Sequence, residues 1–465
     1  MNRIIYKSLA IVTIALTLSA CAGRKTYERP QAIDEKLFRT ESPATDAQSD
    51  ATLSWRNIFT DPLLQQHISK ALSNNLDVRV AMQSVISAQA YLKQSKAAFI
   101  PTLSVGANYT RSTSSLNAGG SAPDRTYNNL FDITGNASWE ADIWGKLSAQ
   151  KRASYASYLA TLEAQKAVQS EVVATLATAY YQLLMLDEQK KVLEQTIEFR
   201  TKSLETTKQL KKAGSTTEVA TKQIEALVYN AQAQLITINN SVWALENTIC
   251  VLLGEEPHTI ERSTLAEQQF PTQFRQGYAV SLLENRPDVA RAELSLRNAF
   301  EMTNVARSAF YPTLTLSARG GISSTELDTW FSAKSMFANF IAGLAQPILN
   351  RRQIRTQYEV QKAAQETALL NFKKAILSAG KEVSDAMRQF SSQDEFIQLK
   401  TQEMKAYQDA TDYSKQLFDS GMVNYLEVIT AEVNRLNAEL SVANAQFIRM
   451  QYGITLYKAL GGGWR

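Results

Sequence analysis

Hydrophobic and polar residues along this chain keep two different rhythms, and the switches between them mark its elements. Beyond Gly145 the run to about Lys212 has neither proline nor glycine, and Val168, Val172, Leu176, Tyr180 and Leu184 recur on one helical stripe. A helix of that length extends about 100 Å at 1.5 Å per residue. Gly214 and Ser215 break it. A second long helix returns with Leu227, Ala231, Ile238, Leu245, Ile249 and Leu252 inward, and stops at Gly254 before Pro257. Two long helices joined by a tight glycine turn predict an antiparallel helical hairpin. A second such pair follows later. A helix from about Arg351 to Asp419 turns Phe372, Ile376, Ala379, Val383, Ala386 and Phe390 inward, with the turn at Ser420 and Gly421. The last helix reads Leu426, Ile429, Val433, Leu436, Leu440, Ala443, Phe447, Met450, Ile454 and Tyr457. Spacings that alternate between three and four are the signature of coiled-coil packing.

Elsewhere the rhythm is two. From Thr102 to Thr110, Leu103, Val105, Ala107 and Tyr109 oppose Ser104, Gly106, Asn108 and Thr110. After a Ser-, Gly- and Asn-rich loop over Arg111 to Asn128, Phe131, Ile133, Gly135, Ala137 and Trp139 oppose Asp132, Thr134, Asn136, Ser138 and Glu140. A third strand alternates from Thr313, with Leu314, Leu316 and Ala318 on one side, and is expected to give way to a loop from Gly320 to about Ser335. A fourth ends at Gln346 and Pro347. Strands of about ten residues with one apolar and one polar face match transmembrane β-strands. A soluble half-buried hairpin shows the same alternation. Shorter helices precede each hairpin. Asp61 caps one with Pro62 at its first position, Asn74 and Asn75 interrupt it, a second covers about Asp77 to Ala98, and its counterpart covers Asp288 to Ala309.

The order helix, β-hairpin, long helical hairpin therefore occurs twice. Residues 98–104 (AFIPTLS) recur as 309–315 (AFYPTLT), and Asp77, Val78, Ala81, Ser84 and Ala88 match Asp288, Val289, Ala292, Ser295 and Ala299 without a gap. In the helical hairpins Glu225 matches Glu432 and Asn230 matches Asn437. A repeat half a chain long is a duplicated half-protein rather than a solenoid unit. The chain divides into a signal segment 1–20, a tether 21–55, a first repeat 56–254 (β-hairpin 102–140, helical hairpin 145–254), a linker 255–286 and a second repeat 287–465 (β-hairpin 313–347, helical hairpin 351–461). Pro101 and Pro312 sit where helix must become strand, and proline disfavours the helical region for the residue before it.

Composition narrows the function. A net charge of +4 over 465 residues gives no sign of a nucleic-acid-binding face. Two histidines, His67 and His258, and two cysteines, Cys21 and Cys250, exclude a Cys/His zinc site, a disulfide scaffold and a multi-histidine metal centre. No nucleophile–base constellation emerges, and no cofactor is implied. At the N-terminus, Asn2, Arg3 and Lys7 precede the apolar run Leu9 to Leu18, too short to span a bilayer as a helix and suited to a secretory signal. It ends Leu18, Ser19, Ala20, Cys21, which resembles a bacterial lipoprotein cleavage box with Cys21 as the lipidated first residue. An aspartate in place of Ala22 would favour inner-membrane retention, so Ala22 points to the outer membrane.

Four membrane-type strands cannot close alone, since such barrels begin at about eight strands and lipid tolerates no open edge. The chain must associate, and three copies would supply twelve strands. Cys21, the twin AFxPTL segments, residues 139–146 (WEADIWGK), residues 282–288 (LLENRPD) and residues 456–464 (LYKALGGGW) together resemble the TolC-type outer membrane efflux proteins, in their OprM-like lipoprotein branch. The resemblance implies an α+β chain of duplicated halves that assembles as a homotrimer. In it, long coiled-coil hairpins form a periplasmic α-barrel below a twelve-stranded outer-membrane β-barrel. It further implies an outer-membrane duct that docks a periplasmic adaptor protein and an inner-membrane pump to expel small molecules, without catalysis or cofactor. The competing class, a periplasmic coiled-coil lipoprotein scaffold or adaptor, explains the heptads but not four amphipathic strands at symmetric positions.

The family's periplasmic tips map onto Lys211, Gly214 and Ser215 in the first hairpin and Leu417, Ser420, Gly421 and Leu426 in the second. These are the expected adaptor-docking residues. The glycines also suit positive φ at a helix end. Where OprM-like members place a pore-narrowing aspartate two residues after the second glycine, this chain has Val423. Asp419 and Glu427 are the neighbouring acidic candidates for a constriction. Cys250 is expected to be buried filler, and the two histidines surface or packing residues. Trp139 and Trp144 mark the membrane interface or pack the barrel base.

Overall fold

A computed structural model describes residues 25–30, 54–113, 115, 127–268 and 285–464. Its elements, in order, are α1 (Trp55–Ile58), α2 (Pro62–Asn74), α3 (Leu76–Ala97), β1 (Thr102–Thr113), β2 (Tyr127–Ala141), α4 (Lys146–Lys212), α5 (Glu218–Leu253), α6 (Pro287–Ser308), β3 (Thr313–Ser324), β4 (Met336–Ala345), α7 (Gln353–Asp419) and α8 (Tyr425–Ala459). Short 3-10 turns lie at Leu265–Glu267 and Ala333–Ser335. The chain forms two compact units, one of residues 1–30, 86–160 and 292–372, the other of residues 31–85, 161–291 and 373–465.

The first unit holds the sheet, antiparallel in the order β1-β2-β3-β4. Its register keeps the two faces of the pleat separate. Leu103 pairs with Ala137, Val105 with Gly135 and Tyr109 with Phe131, then Trp139 with Leu316 and Leu314 with Leu344. On the other face Ser104 pairs with Asn136, Asn108 with Asp132 and Arg319 with Asn339. Because side chains alternate strictly, a one-residue slip would exchange these faces throughout.

The strands run further than their alternation predicts. β3 continues through Gly320 and Gly321 to Ser324, where the sequence pointed to a loop. Gly321 is required by closeness rather than by a turn, because a Cβ there would lie 2.0 Å from the Ile133 carbonyl oxygen on β2. A glycine inside a strand marks such an approach as readily as a strand end. Likewise β1 reaches Thr113 and β2 begins at Tyr127, which shortens the expected loop at both ends. α7 begins at Gln353 rather than Arg351, since Arg351 and Arg352 both have positive φ (53° and 66°) and cannot continue a right-handed helix.

Around the sheet's foot, Arg152 on α4 grips Glu301 on α6 through two nitrogens, at 2.7 and 2.8 Å, and Asn298 donates to the Ala153 carbonyl at 2.8 Å. Alanines 149, 153 and 156 on α4 are buried, which lets helices approach closely.

The second unit carries the main core. Val172, Leu176, Tyr180 and Leu184 from α4, Ile249 and Leu253 from α5, Val383, Ala386 and Phe390 from α7, and Ala443, Phe447, Met450, Ile454 and Tyr457 from α8 are buried together. These are the heptad-like stripes of the sequence. α1 and α2 add Trp55, Ile58, Leu64 and Ile68, so the expected tether ends at Ser54, whose hydroxyl caps α1.

The start of the linker is tied down by polar contacts. Asp61 caps α2 and also accepts from Tyr180, Ser263 and Gln268. Burial opposes ionisation of Asp61, but these hydrogen bonds outweigh it and hold the carboxyl below its ordinary range. Burial pushes the Tyr180 hydroxyl up to about 12. Arg262 bridges Asp187 and Glu246 at 2.5 and 2.6 Å. His67 Nε2 meets the Glu261 carbonyl at 2.9 Å, and Cys250 is fully buried with Sγ 3.4 Å from His258 Nδ1.

Candidate functional site

Three places carry what a chain of an outer-membrane kind needs: an exposed apolar sheet face, a seam between helix and strand, and the turns that end the helical hairpins. The first is the apolar face of the sheet, where Leu103, Val105, Tyr109, Phe340 and Leu344 all stand exposed, Leu103 at 76%. Its opposite face is hydrogen-bonded. Asn108 donates to Asp132 at 3.3 Å, and Arg319 approaches Asp132 at 4.0 Å while its guanidinium lies over the Phe337 ring. Among the described residues, β1 and β4 each leave one edge without a strand partner.

At the seams, β1 starts directly after Pro101 and β3 directly after Pro312. Both are latched by tryptophans, one near the end of β2 and one in the turn that follows it. Trp139 Nε1 donates to the Phe99 carbonyl at 2.9 Å, and Trp144 Nε1 donates to the Pro312 carbonyl at 2.7 Å with its ring stacked on Tyr311. Burying an indole only where its N–H finds an acceptor is the ordinary requirement for tryptophan. The indoles therefore lock the two seams of the repeat.

The hairpin turns are built alike. Gly214 has φ 77°, the Gly214 amide donates to Lys211 and the Ser215 amide to Leu210. Gly421 has φ 71°, the Gly421 amide donates to Phe418 and the Met422 amide to Leu417. Both are Schellman caps, which satisfy the last helical carbonyls through one left-handed residue. Gly254 and Gly461 end the returning helices with the same pair of bonds. Gly421 follows Gly214 by the same 207 positions as Gly461 follows Gly254, so the duplication persists at the level of single hydrogen bonds. The next helices are capped by Thr217 and Asn424, again 207 apart.

At these turns Lys211 pairs with Glu218 across the first, while Phe418 packs edge-on against Tyr425 across the second at 5.0 Å. Ser215 and Ser420 are exposed, and Leu417 and Leu426 stand 40% and 52% exposed. Val219 and Met422 are even more open, at 66% and 74%. Periodicity passed over these two. Val219 is the repeat partner of Leu426, so the 207-residue offset was the signal that could have found it. Asp419 is the last residue of α7, Val423 is half-buried in the turn, and Glu427 lies exposed in the first turn of α8. Among the described residues neither acid enters an ion pair.

Further along the hairpins, Leu204, Ile224, Val228 and Ile429 form a small core that joins the two hairpins. Beside it sits a buried charged group. Glu432 lies 3.5 Å from Lys415, yet among the described residues its Oε1 has no hydrogen bond, and neither have Arg200 Nε and Arg435 Nε. Burial raises the Glu432 carboxyl above its ordinary range despite Lys415, Arg200 and Arg435, and burial lowers Arg200. Such a group is a polar weak point in an otherwise apolar seam. Cys21 lies outside the described residues, as do 282–284 of the LLENRPD run. Its remaining arginine, Arg286, is buried and binds Asp288, Glu382 and the Ala459 carbonyl.

Two long hairpins, four amphipathic strands and twin capped turns have close counterparts. The model of the outer membrane efflux protein family matches residues 67–255 and 279–462, one stretch in each half. The chain belongs to this family. It is 27% identical over 463 residues to a probable outer membrane lipoprotein, SilC of Salmonella typhimurium, covering 98% of this chain and 99% of that protein. It is equally 27% identical to the solvent efflux pump outer membrane protein SrpC of Pseudomonas putida, covering 99% and 98%. The crystal structure of CusC superposes with a TM-score of 0.85 at 26% identity, over 94% of this chain and 99% of that one. The open state of the Neisseria gonorrhoeae MtrE outer membrane channel gives 0.83 at 25% identity, over 95% and 98%. As an outer membrane efflux protein the chain is the outer-membrane channel component of a tripartite efflux system, reaching into the periplasm, and not an enzyme. Pump and adaptor partners come with that role.

Proposed function

We propose that three copies of this chain close one twelve-stranded barrel and one helical tunnel, a passive duct held in the outer membrane by acylated Cys21. The observation that carries this is the sheet itself, four strands with two edges unpaired among the described residues and exposed apolar side chains on both edge strands, β1 and β4. Lipid tolerates no open edge, so β1 of one copy must pair with β4 of another. The stagger of the sheet supports closure. Thr102 pairs with Ser138 and Ser138 with Ser317, so β3 begins four residues before the position level with the start of β1. That is about 13 Å along the strands, over two strand spacings of about 4.8 Å. Strands tilted about 45° in the sense of the stagger bring Pro101 and Pro312 to within about 3 Å of one level. Three copies then present six seams at one membrane face.

The twin turns are the docking points for the adaptor. Lys211, Gly214, Ser215, Leu417, Ser420, Gly421 and Leu426 surround apolar side chains that stand exposed among the described residues. Asp419, Val423 and Glu427 face the entrance. Relatives at nearly equal identity are named for cation efflux and for solvent efflux, which supports a duct that leaves selection of cargo to the pump. The mass of the detergent-solubilised protein tests the assembly. Three times the mature chain mass supports it, and a stable monomer or dimer sinks it.

A further inference from the structure

The one described piece of the N-terminal segment, residues 25–30, lies along α6. Asn304 Nδ2 donates to the Lys25 carbonyl at 3.2 Å. The Tyr27 ring meets Phe300 edge-on at 5.6 Å and lies under the Arg297 guanidinium, and Arg29 pairs with Glu293 at 2.9 Å. Rising residue numbers thus run from the seam end of α6 toward its start. Lys25 is left at the seam end, four residues after Cys21, and four residues span at most about 14 Å.

At that end cations collect. Arg307 Nη1 touches Asn304 Oδ1 at 3.4 Å and its guanidinium lies 5.9 Å from the centre of the Tyr358 ring. Thr303 donates to the Gln361 carbonyl at 3.1 Å, which brings the adjacent Lys362 to the same turn of α6. A hydrogen bond from Arg307, and then the charges of Arg307, Lys362 and Lys25, hold the Tyr358 hydroxyl below its ordinary range. Glu301, the carboxylate of this turn, is already gripped by Arg152. Among the described residues neither Lys25 nor Lys362 enters an ion pair, and both are exposed. Phe310, 45% exposed, packs on Tyr358 just before β3. Three cations beside an aromatic pair, at the foot of membrane strands, match the chemistry of a lipid phosphate at the bilayer surface.

We propose that Lys25, Arg307 and Lys362 form a site for the phosphate of a membrane phospholipid in the leaflet that the acyl chains of Cys21 enter. The site rests on the membrane-spanning reading above. The N-terminal strap then has a purpose beyond reach: it delivers one of the three cations and fixes where the anchor sits.

Native mass spectrometry of the full-length protein, released from detergent with added phosphatidylglycerol, tests this. The parent should retain bound phosphatidylglycerol, and K25Q/R307Q/K362Q should lose at least fivefold of it. K208Q/K212Q/K374Q removes the same charge elsewhere and should lose none. The double variant K25Q/K362Q touches only exposed side chains and should show a graded loss. Equal retention by parent and both site variants overturns the site, as does equal loss in the control. Displacement of the lipid by inorganic phosphate at equal concentration assigns the site to a free anion and overturns the lipid. The same spectra weigh the mature chain. An unacylated chain that still binds phosphatidylglycerol sinks the anchor and leaves the site standing.

Discussion

Trp144 reaches across 168 positions of sequence to donate its indole N–H to the carbonyl of Pro312 at 2.7 Å. With Trp139 on Phe99 it ties the end of β2 to the starts of β1 and β3. Trp144→Phe keeps the stacking on Tyr311 and loses only this bond. The expected cost is about 1–2 kcal/mol, read as a lowered midpoint for loss of sheet structure on heating in detergent. An unchanged midpoint would show that the latch is not needed.

The tip glycines and the terminal glycines should respond differently to alanine. At Gly214 and Gly421 a Cβ meets nothing within 4 Å, so the strain is that of positive φ alone, about 1–2 kcal/mol. At Gly462 a Cβ would lie 2.3 Å from the Tyr457 ring in the core, and at Gly463 2.8 Å from Ser170 Oγ. Gly462→Ala should therefore destabilise the protein several times more than Gly421→Ala in denaturant melts. Equal costs would contradict the close packing of the C-terminal segment.

Glu432 supplies a pH dependence. Its folded carboxyl titrates above the ordinary value, so the folded protein holds the proton more tightly than the unfolded chain. Stability is then greater at low pH and falls as pH rises from about 4.5 through the raised value. Protection factors of the α7 and α8 amides near the turn, with the intrinsic pH dependence of exchange divided out, should fall over that window. Glu432→Gln should flatten the change. A wild-type profile without slope there would refute the buried-acid assignment.

Docking at the turns predicts a loss of export without a loss of folding. Leu417→Asp, Met422→Asp and Leu426→Asp change only exposed side chains, and surface changes away from packed sites stay within about 0.5 kcal/mol. Each should leave outer-membrane levels unchanged while efflux in cells drops severalfold. Full efflux in all three would move the docking surface away from the second turn.

The helical hairpins were legible because knobs-into-holes packing enforces a regular spacing and no proline interrupts it. Phe372, Ile376, Ala379, Val383, Ala386 and Phe390 were all named from that spacing, and all are buried. The repeat was legible because both halves keep the same turn chemistry. What stayed hidden is what spacing does not encode. Gly320 and Gly321 read as a loop because their reason, the closeness of β2, lies across the sheet. The clasp of Asp61, Tyr180 and Ser263 joins residues about 200 positions apart through polar atoms that follow no period. The seam role of Trp144 was equally out of reach, since an indole donor does not announce its acceptor.

Electrical recording from the purified assembly in planar lipid bilayers tests the central claim most directly. A closed barrel with a polar interior predicts discrete, reproducible conductance steps from the trimer. A trimer that inserts but never carries current would contradict the duct and return the chain to a scaffold.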